Sequence, residues 1–285
     1  MAHLWARLVA MNDGWAKPFG EFNHRWVSAL FRPIRPVKDL LNGTWLGHPL
    51  HAVLTDVPIG ALTLALVLDF FGQHTGADIA IAVGVLSMLA AAVAGLADYA
   101  DTDGLARVRA TLHATIMVVA LVVYAASLAI RAGTPVDRTV PVLLSWVGFA
   151  ILSAGAFVGG EVVFALGNMV NRHAWRGGGA KWLALEPDGD GEIPEGQPVR
   201  AKLGINTLVL IRQGETILAL HEQCAHAGGP LSGGKIVGGT IQCPWHGSRF
   251  RLTDGRVARG PALYDQPTYE VRRGDSGWEG RRTQA

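Results

Sequence analysis

The chain has 285 residues, 49% of them hydrophobic and 17% charged, with a net charge of +2 and a mean hydropathy of +0.26. It is apolar for a soluble protein, long enough for about two domains, and too weakly basic to point to a nucleic-acid partner. With two cysteines in the whole sequence, a disulfide-stapled fold is excluded and a reducing compartment is indicated.

In residues 1–38, Phe19, Phe22, Trp26, Val27, Leu30 and Phe31 fall at helical spacing, among Lys17, His24, Arg25 and Arg32. Two readings fit: an amphipathic helix at a membrane surface, or a helix packed on the body of the protein. No secretory or twin-arginine pattern is read at the start. Arg32-Pro33-Ile34-Arg35-Pro36 breaks the helix and predicts an extended linker.

Four apolar segments follow, at 49–71, 79–97, 111–130 and 139–160, the last extending to 166. Each approaches or exceeds the ~20 residues that cross a hydrocarbon core, so the sequence predicts a four-helix transmembrane domain over 39–168. Arg7, Lys17, Arg25, Arg32, Arg35, Lys38, Arg107, Arg109, Arg172, Arg176 and Lys181 fall on one side, and Arg131 and Arg138 on the other. The positive-inside rule then places both termini in the cytoplasm. Trp45 and Trp175 stand where interfacial anchors belong.

Ionisable residues gather at the cytoplasmic level of this domain: His48 and His51, expected to share a helix face, then Asp56, Asp98, Asp101, His113 and Glu161. Three readings stand open. His48 or His51 with His113 ligate a b-type haem; the group forms a quinone, proton-relay or other metal site; or it caps helices at the interface, with Asp98 and Asp101 paired to Arg107 and Arg109. Asp69 and His74, at the opposite level, read as ordinary interfacial residues. Gly47-His48-Pro49-Leu50-His51 with Asp56-Val57-Pro58-Ile59-Gly60 resembles a family of bacterial four-helix membrane proteins of unknown function, over roughly residues 36–170.

From Lys181 the pattern changes to short β-rich runs at 182–185, 207–212, 216–221 and 266–272, separated by turn signals such as Asp188-Gly189 and Asp254-Gly255. Gly177-Gly178-Gly179 reads as a hinge before a β domain over 181–275. The fold class is therefore α+β and multidomain: an N-terminal segment (1–38), a four-helix transmembrane bundle and an antiparallel β domain. Inside the β domain stand Cys224-Ala225-His226 and Cys243-Pro244-Trp245-His246. Each pair mixes thiolate and imidazole, whereas a zinc finger brings like ligands together. A zinc site and a Cys224–Cys243 disulfide are the competing readings.

The two boxes, with the run Cys243-Pro244-Trp245-His246-Gly247-Ser248-Arg249-Phe250, resemble the Rieske family over roughly the last hundred residues. The resemblance implies a layered β-sandwich with a [2Fe–2S] cluster at its tip, Cys224 and Cys243 on one iron and His226 and His246 on the other. It also implies cluster-tuning roles for Ser248, which matches a serine that hydrogen-bonds the cluster, and for Pro261, in the loop over it. Rieske proteins of the respiratory bc complexes carry two further cysteines where this chain has Gly229 and Trp245, and a tyrosine where it has Phe250. One donor to the sulfurs is missing, so a low, ferredoxin-like potential is expected. The function expected is that of a Rieske electron-transfer protein anchored in the bacterial cytoplasmic membrane, passing single electrons between a cytoplasmic partner, a reductase or ferredoxin, and a membrane site. A quinone- or haem-dependent oxidoreductase and an iron–sulfur redox sensor are the alternatives.

Overall fold

The segments that read as apolar helices and as short strands form two separate units in the computed structural model, which describes residues 2–133, 137–175, 181–189, 191–275 and 277–283. One unit is Met1–Gly43 with His48–Asn168, the other Thr44–Gly47 with Met169–Ala285. The glycine run expected to act as a hinge lies outside the described residues.

The first unit begins with three helices, α1 (Ala2–Ala10), α2 (Asp13–Phe31) and α3 (Arg35–Asn42). Helix α2 is two-faced: one face packs on the helical unit and the other is exposed. On one face Gly20 O accepts from the Tyr99 hydroxyl (2.9 Å), Asp13 pairs with Arg109, and Phe31 packs on Ala97 and Ala100. On the other, Phe19, Phe22, Trp26 and Leu30 are exposed. The extended linker is not formed. Proline is accepted in the first turn of a helix, so α3 starts at Arg35 with Pro36 in that turn.

Four long helices follow: α4 (Leu50–Phe70), α5 (His74–Tyr99), α6 (Gly104–Ala132) and α7 (Thr139–Gly160), the last running into a π-helical turn, Glu161–Ala165. All four are long and apolar enough to cross a membrane. Large apolar side chains such as Val57, Leu64, Leu86, Val118, Val122 and Leu143 point outward, as lipid-facing residues do. Helices α5 and α6 start well before the apolar runs, because their polar first turns are satisfied. Asp78 is bonded by Arg131 and Arg138, and Arg107 donates to the Thr102 carbonyl.

The hairpins α4–α5 and α6–α7 repeat one pattern. Pro58, Leu62, Ala65 and Asp69 are buried on α4, and Ala120, Tyr124, Ser127 and Arg131, at the same spacing, on α6. Ala77, Ile81, Gly84, Met88 and Ala91 are buried on α5, matched in spacing by Pro141, Ser145, Gly148, Leu152 and Gly155 on α7. Leu50-His51-Ala52 is echoed by Leu112-His113-Ala114. Equivalent residues also meet each other. The His51 and His113 rings are neighbours, and Asp69 pairs with Arg131. Contacts between equivalent positions mark a pseudo-two-fold axis between the hairpins.

In the second unit, β1 (Leu183–Pro187), β2 (Pro198–Leu203), β3 (Asn206–Gln213), β4 (Thr216–His221), β9 (Thr268–Gly274) and β10 (Gly277–Arg282) close an antiparallel barrel in the order β1-β10-β9-β4-β3-β2. Leu208, Val209, Leu210 and Ile211 of β3 are all buried, so both faces of this strand are covered. A second sheet orders β5 (Lys235–Val237), β6 (Thr240–Gln242), β7 (Arg249–Arg251) and β8 (Val257–Arg259) as a meander. The closed barrel and the small second sheet together are the layered antiparallel β domain expected. Its job here is to hold two loops, one after β4 and one between β6 and β7.

Candidate metal centre

Each loop is built around one cysteine, and the two are locally alike. The Cys224 N–H donates to Gly229 O (2.9 Å), and its carbonyl accepts from Gly228 N–H (2.8 Å). The Cys243 N–H donates to Ser248 O (2.8 Å), and its carbonyl accepts from Gly247 N–H (3.2 Å). Closing such a turn needs a left-handed residue at the fourth position, and Gly228 (φ 83°) and Gly247 (φ 79°) supply it without a Cβ penalty. In both loops the N–H groups two and three residues on point at the sulfur: His226 and Ala227 at Cys224, Trp245 and His246 at Cys243.

The loops bring the four sequence-predicted donors together. Cys224 and Cys243 are buried and their side chains are hydrogen-bonded to each other. The His226 and His246 rings stand 5.0 Å apart, centre to centre, at 85°. Two imidazoles at about 2.1 Å on one tetrahedral ion put their ring centres roughly 5 Å apart. Both cysteines are free thiols, so the disulfide reading falls. Among the described residues no three His, Cys, Asp or Glu side chains group around a single ion position. A sulfur pair beside an imidazole pair suits two iron atoms with two protein ligands each.

The sulfurs are unlike. Bonding to the Cys243 sulfur, together with burial, holds the Cys224 thiol well above its ordinary range. The Cys243 thiol is drawn down to about 7, first by the bond from Cys224 and then by the two backbone N–H groups. Ser248 is fully buried, and its hydroxyl accepts from Ala262 N–H (3.0 Å), tying the second loop to the Pro261 segment. Pro261 shares an apolar crevice with Ala225, His226 and Leu263.

Sequence reasoning missed Gln266, which lies in a run read only as strand. Its amide donates to His221 O and Gln223 O (both 2.6 Å) and accepts from Ala225 N–H (3.0 Å), so one buried side chain stitches the first loop. Removing a partner of a buried polar group costs about 1–3 kcal/mol per stranded group. Gln266→Ala is therefore expected to lower iron–sulfur content roughly ten-fold while leaving the barrel folded. Iron and acid-labile sulfide per chain, with circular dichroism as the folding control, check this.

In the helical unit the polar residues are partnered differently from the capping reading. Asp101 pairs with buried Lys38, and Asn42 donates to Asp98 and Asp101 (both 3.2 Å). Arg109 pairs with Asp13 and lies 3.7 Å from Glu161. The expected pairs with Arg107 and Arg109 do not form, because α3 supplies the cation instead. His48 stands exposed in a bend before α4, so it shares no helix face with His51. His51 and His113 come together, with ring centres 6.1 Å apart. Asp69 is no ordinary interfacial residue: it is buried and bonded to Arg131.

Fold and site define the class: an apolar four-helix unit joined to a β domain in which two loops bring two cysteines and two histidines together. Residues 182–270 match the Rieske [2Fe-2S] domain, and residues 47–172 a predicted membrane protein family, DUF2231. The ferredoxin component of naphthalene 1,2-dioxygenase/salicylate 5-hydroxylase systems of Ralstonia sp is 32% identical over 81 residues, 28% of this chain and 78% of that one. Apoptosis-inducing factor 3 of Homo sapiens is 30% identical over 81 residues, and the chain spans 13% of its length and 28% of its own. A solved ferredoxin of carbazole 1,9a-dioxygenase from Nocardioides aromaticivorans IC177 is 22% identical, covering 33% of this chain and 89% of that one, with a TM-score of 0.29. The chain belongs to the Rieske [2Fe-2S] domain family, with a DUF2231 membrane-protein domain preceding that domain. A [2Fe–2S] cluster is the cofactor this family implies.

Proposed function

We propose that this is a membrane-anchored Rieske electron-transfer protein. Cys224 and Cys243 hold one iron, His226 and His246 the other, and Ser248 and Pro261 tune the site. A bound [2Fe–2S] cluster supplies one-electron chemistry there. The observation that carries the reading is the pair of matched loops: two buried sulfurs, each receiving two N–H groups, beside two imidazoles 5.0 Å apart. The burial of the sulfurs keeps water from them. Half-buried His246 and exposed Trp245 form the edge at which a partner docks.

The four apolar helices cross the bacterial cytoplasmic membrane, and the Lys/Arg distribution sets both termini and the Rieske domain on the cytoplasmic side. Electrons pass between a soluble partner of the reductase or ferredoxin type and a site in the membrane domain, a b-type haem or a quinone near His51 and His113. The curated Ralstonia relative, itself a ferredoxin component, supports a carrier role. Electron paramagnetic resonance of the dithionite-reduced protein, purified in mild detergent, tests this. A Rieske signal is expected, and an iron-loaded sample without one rejects the reading.

Phe250 bears on the potential. It is fully buried in the same apolar cluster as both cysteines. Phe250→Tyr adds a hydroxyl within that cluster and tests whether it reaches a sulfur. One added hydrogen bond of about 1 kcal/mol favouring the reduced state raises a one-electron potential by roughly 40 mV. A redox titration followed by paramagnetic resonance reads it. An unchanged potential would show that the missing hydroxyl does not set the potential.

A further inference from the structure

The pseudo-two-fold axis passes a pair of histidines held by one device used twice. His51 Nδ1 bonds the Ala91 carbonyl of α5, and His113 Nδ1 bonds the Gly155 carbonyl of α7, each at 2.8 Å. Ala91 and Gly155 are equivalent positions of the two hairpins. One turn further on, a Cβ at Gly95 would stand 2.9 Å from the His51 ring, and one at Gly159 2.9 Å from the His113 ring. Glycine at both positions is what lets each imidazole lie against its neighbouring helix.

The carbonyls can only accept, so each Nδ1 carries the proton, and each neutral ring keeps its lone pair on Nε2. Neither Nε2 has a hydrogen-bond partner among the described residues. Anchoring Nδ1–H on a carbonyl is how ligating histidines are oriented toward a metal. As a plain tie between helices the carbonyl bond alone would suffice. It gives no reason for two such rings to meet across the axis.

The spacing is compatible with two opposed donors. Two imidazoles on opposite sides of one metal, at about 2.0 Å each, put their ring centres roughly 6.3 Å apart. The His51–His113 separation is 6.1 Å, against 5.0 Å for the His226–His246 pair, where a tetrahedral corner fits. No third His, Cys, Asp or Glu joins the two among the described residues. A metal with two opposed protein donors and no others must bring its remaining ligands with it, as haem iron does. We propose that His51 and His113 are the two axial ligands of one haem, held between the hairpins, and that His48 takes no part. The haem supplies a one-electron centre in the membrane domain. This deepens the electron-transfer reading and rests on it for the haem's role.

The full chain is expressed in cells supplied with iron and δ-aminolaevulinate, purified in mild detergent, and read two ways. Pyridine haemochrome counts haem per chain, and paramagnetic resonance counts the Rieske centre. One b-type haem per chain with a low-spin bis-imidazole signature is expected. His51→Ala and His113→Ala should each lower haem at least about ten-fold with the Rieske signal unchanged. His48→Ala should keep the haem. Imidazole in the buffer should restore haem to the His51→Gly variant, and His51→Met, which keeps an iron donor, should retain haem with a shifted absorption band. A full Rieske signal without haem overturns the assignment, as does haem that survives both alanine variants or a metal bound there without porphyrin. Haem without a Rieske signal leaves this site standing and rejects the carrier reading.

Discussion

If Cys243 is a cluster ligand as proposed, Cys243→Ser is expected to remove the Rieske signal altogether, a loss of at least about 100-fold in cluster content, beyond the 10–100-fold typical of outer-shell changes. A serine oxygen is a harder donor than thiolate and suits iron–sulfur chemistry poorly. The Trp245 and His246 N–H groups are aimed at the Cys243 sulfur and favour its thiolate form. Its replacement disturbs little else, because serine is smaller and the Cys243 backbone bonds to Gly247 and Ser248 stay available. Iron, sulfide and paramagnetic resonance on the purified variant check it. Where the proposed haem is present, its count serves as an internal control, since His51 and His113 lie in the other unit. A Cys243→Ser protein that keeps its signal would remove Cys243 from the ligand set.

Much of this was legible in sequence because ligand chemistry is local. Cys224-Ala225-His226 and Cys243-Pro244-Trp245-His246 name their donors by residue type and spacing, and the four apolar runs name their helices by length. The support around the donors was less legible. Gln266 reaches the first loop across a stretch of chain that contains the whole second sheet, and nothing in a glutamine foretells three bonds. Strands β5 to β8 are three residues each, too short for alternation to register. The repeat was hidden because it keeps spacing and burial, with Leu62 answering Tyr124 and Asp69 answering Arg131, rather than residue identity. Lys38 shows the same limit. In sequence it counts toward a cytoplasmic face, whereas in the fold it is buried against Asp101.

Identity is kept at one end of the axis, where His51 meets His113, and complementarity at the other, where Asp69 meets Arg131. The proposed shared haem would take the same donor from both hairpins, and a buried contact between charges needs opposite signs. The second pair is the larger stability element. Arg131 spends all five N–H donors: Nε on Ser127 (3.1 Å), Nη1 on Asp69 (3.0 Å) and Asp78 (2.8 Å), Nη2 on Asp69 (2.5 Å) and Ser145 (3.2 Å). The Asp69 side chain is 0% exposed and that of Arg131 1%. Arg131→Met leaves Asp69 with only the part-exposed His74 ring (3.2 Å) in place of a buried guanidinium, and breaking a buried pair in this way costs about 3–5 kcal/mol. The cost is stranding rather than lost attraction, so removing both charges should recover most of it. The double variant Asp69→Leu/Arg131→Met is expected within about 1 kcal/mol of the parent, because apolar replacement of a whole buried pair is often neutral. Fluorescence-detected unfolding in detergent, run as a double-mutant cycle, separates the two accounts. If the double variant melts as low as Arg131→Met alone, the network acts by bonding Ser127, Ser145 and Asp78 together, and the Asp69 charge is not what Arg131 is there to neutralise.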